Sequence, residues 1–143
     1  MRPQRRRADR SKTSRARSVA LQQQRQQAPG RAGATGQIHD RSPLCTLALV
    51  HYLDRPVTPT LRAEIDRLLT ARVYERTVCL VGPLGFVRPT PARRISYADS
   101  LTFQAVHEAV YRDHGFTLLE VPAALPGDRA DLVESVIRRL AGA

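Results

Sequence analysis

From residue 37 onward, two kinds of apolar pattern alternate along the chain. Short continuous apolar runs predict strands, and apolar residues that recur every three or four positions predict helices. The predicted strands are Gln37–His39, Arg76–Val81 and Phe116–Val121. The predicted helices are one from Pro43 to near Asp54, one with Leu61, Ile65, Leu68 and Leu69 on its apolar face, one from about Tyr97 to His114, and a final one after Asp128.

Local signals predict where these helices begin and end. Ser42-Pro43 combines a good N-cap residue with a proline at the first helical position. Thr58 or Thr60 is a candidate cap for the second helix, and Asp128 for the last one. Gly115 follows the long helix at the position where a left-handed glycine commonly ends a helix.

The predicted order of elements is β-α-α-β-loop-α-β-α. Strands separated by helices favour an α/β domain with a parallel sheet, helices on both faces and right-handed crossovers. The continuous apolar core of the second strand is typical of a strand that is buried on both faces. Three short strands form only a small sheet, so the pattern predicts part of a three-layer α/β domain.

The first 36 residues have a different character. Residues 1–31 hold ten Lys or Arg and one acid, a formal charge of +9, whereas the other 112 residues hold 13 basic and 12 acidic residues. We expect disorder over 1–17, a thin amphipathic helix over 18–28, and a glycine-rich linker up to Gly36. The predicted organisation is a basic tail, helix and linker at 1–36 and an α/β domain at 37–143.

Cysteine usage and hydropathy indicate a compartment. Cys45 and Cys79 both lie in apolar runs with no paired spacing, as expected for reduced, buried thiols in a cytoplasmic protein. No apolar run is long enough to cross a bilayer, so no membrane association is predicted. The arginine-rich, acid-poor start also resembles an organelle transit peptide, which is a minor alternative.

Candidate chemistry begins at Asp40-Arg41, directly after the first predicted strand. Ligands of open α/β sheets bind at the carboxyl ends of the strands, so this pair is a candidate site. The alternative is a helix N-terminal pair, with Asp40 near the positive end of the helix dipole and Arg41 in solvent. The Pro/Gly-rich loop over 82–92 is too long for a simple connection, and such loops are often functional.

Four motifs, in this order and spacing, resemble the carboxyl-terminal half of a P-loop NTPase. The closest resemblance is to the AAA-type ATPase domain found in NadR-type ribosylnicotinamide kinases and their relatives, and it covers about residues 37–141. The motifs are Asp40-Arg41-Ser42-Pro43-Leu44-Cys45-Thr46, Val73-Tyr74-Glu75-Arg76, Arg93-Arg94-Ile95-Ser96 with His107, Glu108 and Tyr111, and His114-Gly115-Phe116 leading to Glu120-Val121-Pro122, followed by Arg129.

The resemblance implies a P-loop NTPase-like domain that binds ATP and Mg²⁺ and either hydrolyses ATP or transfers its γ-phosphoryl group to a small molecule. It assigns Asp40 to orienting the acceptor or holding Mg²⁺, and Arg41 to pairing with phosphate oxygens. The other nucleotide-binding residues that it implies are lid arginines and the turn after the last strand: Arg88, Arg93, Arg94, Pro122 and Ala123.

The resemblance also implies a Gly-x-x-x-x-Gly-Lys-Ser/Thr loop, and these 143 residues contain none. The one lysine is Lys12, within the basic tail. Backbone amides and the lysine of that loop supply most of the phosphate site. We therefore expect an incomplete domain, from truncation, a misassigned start or degeneration, without independent ATPase activity.

The basic tail supports a function of a second class. Ten positive charges within residues 1–31 predict non-specific binding to nucleic acid through phosphate contacts and counterion release. The tail has no aromatic residues to stack on bases, so this arm would act through charge alone. A solvated tail without a partner is the competing interpretation.

Overall fold

The computed structural model describes residues 36–88, 90–91 and 95–142. The chain divides into two compact units, Met1–Tyr74 and Glu75–Ala143. Residues 1–35 of the region predicted as tail, helix and linker at 1–36 lie outside the described residues, and so does the helix predicted over 18–28. The predicted α/β domain at 37–143 spans the boundary between the two units, and each unit is described on its own below.

The first unit contains two helices, α1 (Pro43–Tyr52) and α2 (Pro59–Thr70). Both begin with a proline, whose fixed φ suits the first helical position and whose missing N–H would have no helical partner there. Ser42 Oγ accepts a hydrogen bond of 3.1 Å from the N–H of Leu44. Thr58 Oγ1 accepts one of 3.2 Å from the N–H of Leu61. The sequence predicted both caps, with Thr58 as one of two candidates.

The core of the first unit comes from the faces of α1 and α2, which contact each other. Burying these aliphatic side chains is the main favourable contribution to the packing of two such short helices. The buried apolar residues of the two helices are Leu44, Leu47, Ala48, Leu61, Ile65 and Leu68.

The second unit is built on two parallel strands, β1 (Thr77–Val81) and β2 (Thr117–Val121). They pair in register, with Thr77 opposite Thr117 and Val81 opposite Val121. The connection between them contains the 17-residue helix α3 (Tyr97–Asp113), and α4 (Pro126–Leu140) follows β2. Parallel strands require such a crossover, because a tight turn can join only antiparallel neighbours. The predicted α/β class with a short parallel sheet is confirmed.

Helices α3 and α4 both contact β2, and the buried core of this unit consists of Val110, Tyr111, Phe116, Val121 and Val136. The rings of Tyr111 and Phe116 meet edge to face with their centroids 5.6 Å apart. This contact packs the last turn of α3 against the residue that leads into β2.

The ends of α3 follow strong local signals. Ser96 Oγ accepts a hydrogen bond of 3.0 Å from the N–H of Asp99 and donates one of 2.7 Å to the Asp99 carboxylate. At the other end, Gly115 has φ of +79°, as the sequence predicted for a helix-terminating glycine. The N–H of Phe116 then donates to the carbonyl of Tyr111 over 3.0 Å, which closes the last turn.

The structure corrects four predictions about the elements. Residues 37–39 form no strand, because no neighbouring strand pairs with these three residues in the part of the chain that the structure describes. The side chain of Ile38 is 75% exposed. Strand β1 is not buried on both faces: its first four residues are half-buried and Val81 is 58% exposed. Asp128 does not cap the last helix, which begins two residues earlier at Pro126. Finally, Cys45 and Cys79 are half-buried rather than buried.

Within the described ranges, no helix is long and apolar enough to cross a membrane.

Candidate functional site

The first group of predicted site residues lies in the segment before α1. Asp40 and Arg41 are both exposed, and Arg41 has φ of +75°, in the left-handed region that non-glycine residues adopt at a cost. The next residue, Ser42, is buried and caps α1. Exposure of both side chains is compatible with a ligand site and with the alternative, a helix N-terminal pair with Asp40 near the helix dipole and Arg41 in solvent.

A polar cluster lies beside this segment in the first unit. The His39 ring meets the Tyr74 ring edge to face at 5.5 Å between centroids. Arg67 on α2 donates two hydrogen bonds to the Glu64 carboxylate, of 3.0 and 2.8 Å, although the Glu64 side chain is only 3% exposed. These hydrogen bonds raise the pKa of the Arg67 guanidinium, against a smaller opposing effect of burial. The sequence did not single out Glu64 or Arg67.

The second group lies at the carboxyl edge of the sheet in the second unit. Gly82 follows β1 directly, and its N–H donates a hydrogen bond of 2.8 Å to the carbonyl of Val121, the last residue of β2. A Cβ atom at Gly82 would lie 3.3 Å from that same carbonyl oxygen. Gly82 therefore lets the loop after β1 leave the sheet in close contact with the end of β2.

Pro122 and Ala123 follow β2 at this edge, and both are exposed. Arg88 is an exposed residue of the loop after β1. The other two predicted lid arginines, Arg93 and Arg94, lie outside the described residues. The parallel register thus brings the starts of two predicted nucleotide-facing segments to one edge of the sheet.

Arg129, in the first part of α4, connects that helix to the start of the loop after β1. Its Nη2 donates a hydrogen bond of 3.3 Å to the carbonyl oxygen of Gly82, 47 residues away in sequence. The motif comparison included Arg129, but no role at the site was predicted for it. One signal was visible in the sequence: a cation near the N-terminus of a helix opposes the helix dipole, so a tertiary partner is expected.

Metal binding depends on which donor side chains the fold brings together. Among residues 36–88, 90–91 and 95–142, no group of three or more His, Cys, Asp or Glu side chains is arranged to hold a metal ion. Magnesium usually keeps several waters and binds through one or two carboxylates plus the phosphates of a nucleotide. The exposed carboxylate of Asp40 therefore fits a role in holding Mg²⁺ with a bound nucleotide.

Comparison with known proteins identifies one family. A family model described as an AAA domain matches residues 2–129, well over half of the chain. The matched span runs from within the predicted tail to Arg129, and so contains every predicted site residue. No curated protein and no solved structure matches the chain significantly.

Proposed function

Because the chain belongs to the AAA domain family, whose domains are nucleotide-binding and P-loop NTPase-like, we propose that it binds ATP as an ATPase-like or small-molecule-kinase-like domain. The observation that carries this proposal is the carboxyl edge of β1 and β2, where Gly82, Val121 and Arg129 join two exposed segments. In open α/β sheets ligands bind outside the carboxyl ends of the strands.

In the second unit, the residues proposed for nucleotide binding lie at and after the carboxyl ends of the strands. Pro122 and Ala123 offer an exposed backbone and small apolar groups beside the strand ends, which suits the flat face of adenine. Arg88, Arg93 and Arg94 would act as lid arginines that neutralise charge on the phosphates. A planar guanidinium with several donors suits this task, because it can bind two phosphate oxygens at once.

In the first unit, the residues proposed for binding phosphate or Mg²⁺ are Asp40 and Arg41. Arg41 would pair with phosphate oxygens, and Asp40 would help to hold Mg²⁺ or orient a small-molecule acceptor. When bound, Mg²⁺ neutralises charge on the β- and γ-phosphates. Both side chains are exposed and therefore accessible to such a ligand.

We propose binding without independent turnover. These 143 residues contain no Gly-x-x-x-x-Gly-Lys-Ser/Thr sequence, so they do not supply the backbone amides and lysine that normally surround the phosphates. Catalysis of phosphoryl transfer consists mostly of positioning and charge neutralisation, and it would suffer most from that loss. A kinase-like role with a separate acceptor remains part of the proposal.

Calorimetric titration of the full chain with ATP and Mg²⁺ tests this function. We expect saturable binding in the micromolar to millimolar range, weaker binding of inorganic phosphate, and ATP turnover no faster than in a protein-free control. The absence of ATP binding at millimolar concentrations would retire the nucleotide-binding proposal for this chain.

The charge distribution favours a second candidate function, an interaction protein whose residues 1–31 bind nucleic acid electrostatically. The formal charge of +9 within those 31 residues is the supporting observation. Affinity for any duplex should then fall steeply with added salt and disappear when residues 1–31 are deleted. Binding that survives the deletion would contradict this alternative. It is separable from ATP binding, which the deletion should leave unchanged.

A cytoplasmic location also remains our prediction. It rests on the apolar runs that contain Cys45 and Cys79, which are typical of reduced thiols, and cell fractionation tests it.

A further inference from the structure

The hydrogen bond between Arg129 and Gly82 joins two parts of the second unit that are distant in sequence. Arg129 is half-buried, and its Nη2 lies 3.3 Å from the Gly82 carbonyl oxygen. The Gly82 N–H is already used, because it donates to the Val121 carbonyl over 2.8 Å. Both polar groups of the Gly82 backbone are therefore fixed, one by the neighbouring strand and the other by a side chain of α4.

The two ends of this hydrogen bond mark the two exposed segments of the carboxyl edge. Gly82 opens the loop that contains Arg88. Arg129 is the fourth residue of α4, and this helix follows the connector that contains Pro122 and Ala123. We propose that Arg129 is a positioning residue that holds the loop after β1 against the connector after β2, so that both segments present one nucleotide-binding surface. That this surface binds a nucleotide rests on the proposed function.

The position of Arg129 supports this role. The N-terminus of α4 carries the positive end of the helix dipole, and Leu125 provides no side-chain cap there. A cation at this place is disfavoured by the helix itself. The Gly82 carbonyl compensates as an acceptor from a distant part of the sequence, and the planar guanidinium reaches it. The presence of an arginine at position 129 is thus explained by its contact with Gly82 and not by a contribution to the stability of α4.

A positioning role differs chemically from direct binding of phosphate. If Arg129 positions the loop, its loss should weaken binding of adenosine, which has no phosphate, by about the same factor as binding of ADP. If Arg129 contacts phosphate directly, only ADP should lose affinity. The loop after β1 should also open more often without the hydrogen bond, which hydrogen exchange of its amides measures without any ligand.

The test compares Arg129→Met, Arg129→Lys and Arg138→Met in the full chain. Methionine keeps an unbranched stem and good helix propensity but cannot donate. Arg138 lies on the same helix, forms an exposed ion pair with Glu134, and controls for the loss of one positive charge. In Arg129→Met we expect exchange of the Gly82 amide, which is hydrogen-bonded to the Val121 carbonyl, to rise about fivefold. Affinities for adenosine and ADP should both fall by a similar factor, with partial recovery in Arg129→Lys and no change in Arg138→Met.

Several results would overturn the proposal. Exchange of the Gly82 amide that is the same in Arg129→Met and the wild type would do so, as would a loss of affinity confined to ADP. If Arg129→Met fails to fold, the comparison of Arg129→Lys with Arg138→Lys decides, and equal exchange in those two variants counts against the role. If the wild type binds no nucleotide, the proposed function fails, whereas the exchange comparison still decides whether Arg129 positions the loop.

Discussion

The guanidinium of Arg76 donates a hydrogen bond of 3.0 Å to the carbonyl oxygen of His114, 38 residues later in the chain. The same guanidinium lies 4.9 Å from the centroid of the Phe116 ring. Arg76 precedes β1, and His114 and Phe116 lie between α3 and β2. One side chain therefore joins the amino ends of the two parallel strands, as Arg129 joins their carboxyl ends through Gly82.

Replacing Arg76 with methionine should destabilise the second unit. The variant loses a charge-assisted hydrogen bond and a cation–π contact, for which we expect a cost of about 2 kcal/mol. Arg112→Met is the matched control, because Arg112 forms only an exposed ion pair with Glu108 within α3, and such pairs contribute about 0.5 kcal/mol. Urea denaturation measures both. Equal effects in the two variants would show that the Arg76 contacts contribute little.

Gly115→Ala should cost about 1 kcal/mol, because φ at this position is +79° and an L side chain is strained there. A Cβ atom would meet only the end of the Arg76 side chain, at 3.7 Å, so the cost should come from the backbone rather than from a clash. Gly127→Ala is the control, since Gly127 lies in the first turn of α4 with open space around it. That change should be neutral or slightly stabilising. Thermal unfolding compares the two, and equal losses would argue against backbone strain.

The sequence predicted the parts of the fold that depend on local chemistry. The caps at Ser42 and Thr58 and the left-handed Gly115 follow from side chains within a few residues of the helix end. The strand predicted at 37–39 was wrong because a strand needs a ladder partner, and three residues cannot show whether one is present. Asp128 lies in the first turn of α4, where an acid is as favourable as at the cap itself, so the predicted cap lies three residues after the actual one, Leu125.

The candidate site was harder to predict for a related reason. The sequence could mark Pro122 and Ala123 as strand-end residues, since the end of an apolar run is visible. It could not show that Arg129 reaches Gly82 or that Arg76 reaches His114, because these contacts span 47 and 38 residues. Side-chain hydrogen bonds between distant segments depend on the register of β1 and β2, which only the folded chain establishes.

Arg67→Met should destabilise the first unit more than Arg138→Met destabilises the second. Both variants break an ion pair within one helix, but the Glu64 side chain is 3% exposed and the Glu134 side chain is 58% exposed. Weakening the contacts of a buried carboxylate costs about 3 kcal/mol, whereas an exposed pair contributes less than about 1 kcal/mol. Chemical denaturation gives both values. Similar small losses would mean that the other contacts of Glu64 suffice.

Stability should depend on Cys79 at alkaline pH. Burial raises the pKa of the Cys79 thiol, so the unfolded chain ionises at a lower pH than the folded one. The stability linked to this group is fully present below the pKa of a free thiol, about 8.5, and is lost as the pH rises through the higher folded value. Cys79→Ala should remove that part of the alkaline decline, whereas Cys45→Ala retains Cys79 and should keep it. Denaturation curves from pH 7 to pH 10 compare the three proteins. A constant difference between wild type and Cys79→Ala at every pH would contradict the linkage.

Asp40→Asn should weaken ATP binding only when Mg²⁺ is present. The substitution keeps the size and exposure of the side chain but removes the anionic oxygen that Mg²⁺ prefers as a ligand. We expect about a tenfold loss of affinity for ATP with Mg²⁺, equivalent to about 1.4 kcal/mol, and little change in the presence of a chelator. Asp66→Asn is the control, because Asp66 is an exposed carboxylate on α2 outside the proposed site. If Asp40→Asn lowers the affinity equally with and without Mg²⁺, Asp40 acts on the nucleotide directly or only on the start of α1. Calorimetry under both conditions separates these outcomes from a role in holding the metal.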